Sequence, residues 1–195
     1  MYKSISYLLG LCVLVGSAMA DTGSSRPNYV SDAMRSGDLV EINSRTYAKS
    51  HGVSVDEAKR RLVIQGELDP LLAGLQEKYK GAVAGIFIEH DPVYKIVVRL
   101  TGKGGSIRKL YRTSVGDLPV ELRFGSAHSR QELADSIKDG YVALKALLPD
   151  LEGVGVDERS GEVVAFTYSP NGEIAALDAL QADVARVLRV PVRIN

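Results

Sequence analysis

The apolar residues of this chain keep two different periods, and the switch between them falls at Val83. From Ser54 to Tyr79 the spacing is helical. Ser54-Val55-Asp56-Glu57 forms a capping box, in which the Ser54 hydroxyl can accept from the Glu57 amide while the Glu57 carboxylate reaches back. Val55, Ala58 and Leu62 then share one face, Lys59, Arg60 and Arg61 point toward solvent, and Gly66 ends the helix. Asp69-Pro70 opens a second helix, with Asp as cap and Pro at the first helical position, and Leu71, Leu72, Leu75 and Tyr79 as its buried stripe. From Val83 the period is two. Ile86 and Ile88 alternate with Phe87 and Glu89, Asp91-Pro92 turns the chain, and Lys95 to Leu100 is a β-branched run. That is a hairpin, broken by Gly102, Gly104 and Gly105, with a further short strand expected over 106–112.

The second half repeats the alternation more legibly. Leu118 to Phe124 reads as a strand, and Ser129-Arg130-Gln131-Glu132 as a second capping box. The helix it opens turns Leu133, Ile137, Leu144 and Leu148 inward, and Gly140 weakens it a little. Gly153 to Asp157 and Glu162 to Tyr168 are strands joined by a turn over Glu158 to Gly161. Asn171-Gly172 opens a helix carrying Leu177, Leu180, Val184 and Val187, and Val190 to Ile194 closes the chain as a strand. The expected fold is α+β: N-terminal helices plus a β-hairpin over 47–112, followed by a ferredoxin-like β-α-β-β-α-β unit over 113–195. Its two helices, 129–148 and 173–188, should share one sheet face. Leu133, Ile137, Leu144, Val164, Phe166, Leu177, Leu180 and Val184 should form one core.

Residues 1–20 are a different kind of text. Lys3 supplies charge, Ile5 to Val15 runs largely apolar, and Ala18-Met19-Ala20 closes with small outer residues. This is the layout of a secretory signal cleaved after Ala20. An uncleaved anchor is the alternative, although the apolar run falls short of the roughly 20 residues a spanning helix needs. Lipidation at Cys12 is disfavoured by the bulky Leu11 before it. Residues 21–46, with Gly23, Ser24, Ser25, Arg26, Pro27 and Asn28, read as a flexible leader with a short helical turn around Asp32 to Arg35. Cys12 is the sole cysteine, so cleavage leaves a secreted or periplasmic protein without thiol chemistry or disulfides. Lys plus Arg and Asp plus Glu each number 24, a balance that speaks against nucleic acid as partner.

No constellation of catalytic side chains is legible. His51, His90 and His128 lie in three separate elements without the spacing that sets two ligands on one helical face, and they read as solvated. Thr101-Gly-Lys-Gly-Gly-Ser106 lacks the order of a phosphate loop. No Gly-x-Ser-x-Gly elbow occurs, and Ser126 has His128 nearby without a third partner that sequence can supply. Asp157 and Glu158 sit in a turn beside Arg159, where solvation explains them. The basic pairs Arg60-Arg61 and Arg108-Lys109 lack aromatic interleaving. The expectation is a protein that is not an enzyme, with no cofactor, no metal and no stable membrane anchor.

The segment Tyr79 to Gly102, YKGAVAGIFIEHDPVYKIVVRLTG, resembles the pro-regions of alpha-lytic protease and the streptogrisins. So do the helical opening His51 to Gln65, the second hairpin Gly153 to Val164 and the last strand Val190 to Ile194, so the likeness covers about 47–195. Val83 and Phe87 stand where that family often has Phe and Trp, and the second hairpin lacks its usual Trp. The protease domain that follows in the family has no counterpart after Asn195 in this sequence.

The resemblance implies a stand-alone pro-region that inhibits, or helps fold, an exported chymotrypsin-like serine protease in trans. The second block's sheet would extend a protease hairpin, a backbone-led mode of recognition. The tail, with Val190, Val192, Arg193, Ile194 and Asn195, would lie in the active-site cleft as a product does. The same residues also read simply as a terminal sheet strand, in which Pro191 tolerates an edge position. On the cleft reading, removal of Arg193 to Asn195 should cost little stability and much inhibition. An envelope interaction module with an unrelated ligand or partner is the alternative.

Overall fold

The computed structural model describes residues 36–168 and 176–195. In chain order the elements are α1 Ser36–His51, α2 Val55–Gly66, α3 Asp69–Lys78, β1 Val83–Glu89, β2 Lys95–Thr101, β3 Ser106–Thr113 and β4 Gly116–Ser126. They continue as α4 Arg130–Leu147, β5 Leu151–Asp157, β6 Glu162–Thr167, α5 Leu177–Leu188 and β7 Val192–Ile194. The class is α+β. The signal over 1–20, the turn around Asp32 to Arg35 and the Asn171-Gly172 helix start lie outside the described residues. The leader expected to run to residue 46 is already helical from Ser36. Among the described residues no helix is long and apolar enough to cross a membrane.

The first sheet has the order β1-β2-β4-β3. β1 and β2 form the expected antiparallel hairpin, and the strand expected over 106–112 is β3. Leu118, Val120 and Leu122 of β4 alternate onto the same face as Ile96, Val98 and Leu100 of β2, where Ile64 and Leu68 from α2 and its exit cover them. Leu71, Leu72, Leu75 and Tyr79 of α3 are half-buried against this core. α3 itself begins at Asp69, so its cap position falls on Leu68 and Asp69 caps nothing.

The Leu118–Phe124 strand, expected to open a ferredoxin-like unit, belongs instead to this first sheet. It pairs parallel with β2 and antiparallel with β3. The cause is local: Thr113 and Gly116 flank a two-residue hairpin turn, with Gly116 at φ +113°, which sets β4 beside β3 before it can travel elsewhere. The expected boundary at residue 113 therefore cuts a hairpin, and the second block starts at α4.

What remains is α4-β5-β6-α5-β7, with a sheet of order β5-β6-β7. A ferredoxin-like unit places its first strand between the third and fourth, which run parallel. Without that strand β6 and β7 pair directly and in parallel, Val163 with Val192 and Ala165 with Ile194. Both helices pack on one face. The core holds Leu133, Leu144, Leu148, Val163, Ala165, Val184, Leu188, Val190, Val192 and Ile194, with Ile137, Leu177 and Leu180 half-buried at its margin. Three assignments change: Phe166 is 46% exposed, Val164 is buried outside this cluster, and Leu188 rather than Val187 turns inward. Gly140 is a crossing point as well as a weak helix former, because a Cβ there would sit 2.4 Å from Leu188 Cδ2.

Candidate partner-binding site

The terminal strand is anchored in its own sheet. Val190, Val192 and Ile194 are buried in the second core, while Arg193 and Asn195 point away from it. The Asn195 amide donates to the Ala165 carbonyl at 2.9 Å, and the Asn195 carbonyl accepts from Thr167 at 3.0 Å. Arg193 crosses the outer sheet face to Asp157 at 3.0 Å and Glu162 at 3.6 Å. The structure thus places the tail residues together but divides them, three inward and two outward. An inward Ile194 with backbone bonds on its neighbours argues for a larger stability cost on removing Arg193 to Asn195 than the modest one expected of a chain terminus.

The two edges of this sheet differ. On β7 the Ile194 amide donates to Gln181 Oε1 of α5 at 3.2 Å, so the helix caps part of that edge. Among the described residues β5 is paired on one side only, with β6. Its Gly153 and Gly155 stand opposite Phe166 and Val164, leaving the outer face low, and a Cβ at Gly153 would lie 3.8 Å from the Phe166 ring. Phe166 and the following Tyr168, 62% exposed, form an aromatic step beside that edge. An unpaired strand next to exposed aromatics is a surface suited to strand addition.

The β5–β6 turn leaves Arg159 and Ser160 exposed, as its charges suggested, yet it is also docked on the first sheet. Glu158 Oε2 accepts from the Ile86 amide at 2.8 Å, its carbonyl accepts from Arg99 Nη1 at 3.3 Å, and Oε1 lies 3.2 Å from Arg130. Arg159 lies over the Phe87 ring, 4.5 Å from its centroid, and donates to the Ile88 carbonyl at 2.6 Å. Gly85 permits the approach. A Cβ there would meet the Glu158 carbonyl oxygen at 2.4 Å and Glu158 Cβ at 2.8 Å.

Two of the three histidines meet, which their positions in the sequence did not reveal. His51 at the end of α1 stacks on His90 after β1, with ring centroids 4.0 Å apart. Tyr47 shares a 3.0 Å hydrogen bond with His90 Nδ1, and Tyr94 lies 5.7 Å from the His90 ring. Arg61, expected in solvent, is 7% exposed, stacks on Tyr94 at 4.7 Å and leaves Nη1 without a partner. It is held by Glu57, whose carboxylate takes Arg60 and Arg61 at 2.7 Å each instead of completing the first capping box. The second box, Ser129 with Glu132, closes in both directions.

Burial first, then His51 and Arg61, push His90 down to about 4, and burial and Arg61 also lower His51. Between pH 6.5, the ordinary histidine value, and pH 4 the unfolded chain binds protons that the folded one refuses. Stability must therefore fall as pH drops through that window and stop falling, for these rings, below it. The rings keep some contact with water, so a loss of about 1–2 kcal/mol is expected. Urea midpoints measured from pH 7 downward should decline through that window and flatten in a His90→Gln variant. A wild-type midpoint that holds constant down to pH 4.5 would contradict the buried neutral pair.

The other candidates stay apart. Thr101 to Ser106 joins strands β2 and β3, with no helix following. Ser126 ends β4 and His128 precedes α4, with no hydrogen bond between their side chains. On the outer face of the first sheet, Lys95 bridges Glu89 at 2.8 Å and Glu121 at 2.7 Å, and Arg123 holds Glu121 at 2.8 Å. Arg123 first, then Lys95, lower the Glu121 carboxyl to about 2. Among the described residues no group of three or more His, Cys, Asp or Glu could hold a metal.

No family model matches the chain. Over 131 residues it is 24% identical to the ATP synthase subunit alpha of Baumannia cicadellinicola subsp. Homalodisca coagulata, covering 65% of this chain and 24% of that protein. The chain thus spans about a quarter of that relative's length.

Proposed function

We propose that this chain is an exported, non-catalytic binding module that acts in trans on a chymotrypsin-like serine protease, inhibiting it or assisting its folding. The observation that carries the reading is the three-stranded sheet: helices cover one face, β5 is unpaired along one side among the described residues, and Phe166 and Tyr168 stand exposed beside it. Strand addition there supplies main-chain hydrogen bonds, and the aromatic step supplies a hot-spot surface. Recognition of this kind requires no reacting group on the chain. The partner class comes from the resemblance of Tyr79 to Gly102 and Gly153 to Val164 to protease pro-regions. In this reading Val190, Val192 and Ile194 anchor the tail, and Arg193 and Asn195 are the members left to face a cleft. Export follows from Lys3, the apolar run and Ala18-Met19-Ala20, with cleavage after Ala20.

The test is a titration of the mature chain against an exported chymotrypsin-like protease from the same organism. Residual peptidase activity and the yield of refolded protease are read together. Stoichiometric loss of activity, or faster recovery of the denatured enzyme, is expected. Phe166→Asp should weaken the effect about tenfold or more with only a small drop in thermal midpoint, since that ring is about half exposed. A protease indifferent to the chain in both assays would overturn the proposal.

A further inference from the structure

The opposite end of the molecule carries a second, chemically distinct edge. β3 borders the first sheet and, among the described residues, pairs only with β4, through eight consecutive residue pairs from Ser106–Arg123 to Thr113–Gly116 without a bulge. Its free side is therefore a regular row of backbone donors and acceptors. Ile107 is 47% and Leu110 69% exposed on this strand. Between β3 and α3 runs a groove of about 200 Å³, with Leu71, Leu75 and Tyr79 on the helix wall, Tyr111 on the strand wall, and Val120 and Leu122 beneath. None of this apolar lining is used by the second block.

The charges around it have one sign. Lys78 and Lys109 line the groove, Arg108 is the next residue on the strand, and Lys103 precedes it. Arg112 is matched by Asp117 at 3.1 Å, and Glu121, opposite Arg108 in the ladder, is already taken by Lys95 and Arg123. Two copies of this chain joined edge to edge would bring Arg108, Lys109 and Arg112 of both onto one short interface, where like charges oppose pairing. Basic residues on an edge strand do guard against aggregation, and that is consistent with rejection of a second copy. They do not guard against an acidic strand.

We propose that β3 is a docking edge for an extended acidic segment of another protein. The segment adds as a strand of up to eight residues, with apolar side chains entering the α3–β3 groove and carboxylates on its opposite face meeting Arg108. Alternation at period two matches β3 itself. Ile107, Lys109 and Tyr111 lie opposite Leu122, Val120 and Leu118 on the helix-covered face, while Arg108, Leu110 and Arg112 lie on the other. The site is separate from the β5 edge, so its occupancy does not depend on a protease.

The mature chain is titrated with a fluorescent eight-residue peptide alternating Glu with Val, read by anisotropy at low and high salt, with a Lys–Val peptide as control. Binding of the acidic peptide only, weakened by salt, is expected. Arg108→Glu should weaken it about tenfold and admit the Lys–Val peptide. Tyr111→Ser, in the groove wall, should weaken it about threefold at every salt concentration. Circular dichroism confirms that each variant is folded. An acidic peptide that does not bind, or equal binding by the charge-reversed variant, overturns the proposal. So does stronger competition by oligothymidine than by unlabelled peptide, which would mark a nucleic-acid groove. Concentration-dependent dimerisation through this edge would overturn it as well.

Discussion

Gly85→Ala is expected to destabilise the protein by about 2–4 kcal/mol, more than any other single methyl addition in the first block. The added carbon would lie 2.4 Å from the Glu158 carbonyl oxygen, a backbone atom that cannot swing aside like the end of a long side chain. The β5–β6 turn must then lift from the first sheet. That movement breaks the bond from the Ile86 amide to Glu158 and the one from Arg159 to the Ile88 carbonyl. Because this turn joins the two blocks, the variant should also lose cooperativity, with the blocks melting at separate temperatures. Calorimetry of wild type and variant checks both effects. A single sharp transition within 1–2 °C of wild type would show that the turn does not couple them.

Deleting Arg193 to Asn195 should cost about 3–5 kcal/mol, a large share of the stability of a domain this size. The deletion removes the buried Ile194 side chain, the Arg193 pairs with Asp157 and Glu162, and both Asn195 bonds to β6. It also removes the ladder partner of Ala165, a core residue of β6, while Val163 keeps its pairing with Val192. Asn195→Ala keeps the backbone and should cost under about 0.5 kcal/mol. Urea denaturation of both variants separates anchoring from contact. If the truncated chain matched wild type in stability while losing inhibition, the tail would be a free cleft-binding segment and the anchoring would be wrong.

The elements themselves were legible because each had local causes. Ser129 and Glu132 bound α4 in sequence and in space, and the alternation from Lys95 to Leu100 produced β2 with Ile96, Val98 and Leu100 inward. Partners were less legible than elements. Leu118 to Phe124 has the alternation of a strand in any sheet. Its true neighbour β3 was hard to see because Ile107, Lys109 and Leu110 are an exposed, mixed edge. The two-residue turn before Gly116 was the available signal. Contacts across long separations left still less trace. His51 and His90 are brought together by α1 packing near the β1–β2 turn, and a lone histidine in each element reads the same whether stacked or solvated. Arg61 looked like the third of three solvent cations, yet Glu57 and the Tyr94 ring draw it inward. Gly85 offered a residue type but not the turn that presses on it.

The open edge of the second sheet is proposed to take a strand from a serine protease. Amide hydrogen exchange of the mature chain, alone and with an exported chymotrypsin-like protease, tests it most directly. The account predicts slowed exchange across β5, from Leu151 to Asp157, with the change extending to Phe166 and Tyr168 and leaving β3 untouched. Unaltered exchange at β5 in a mixture where the chain still inhibits the protease would contradict it.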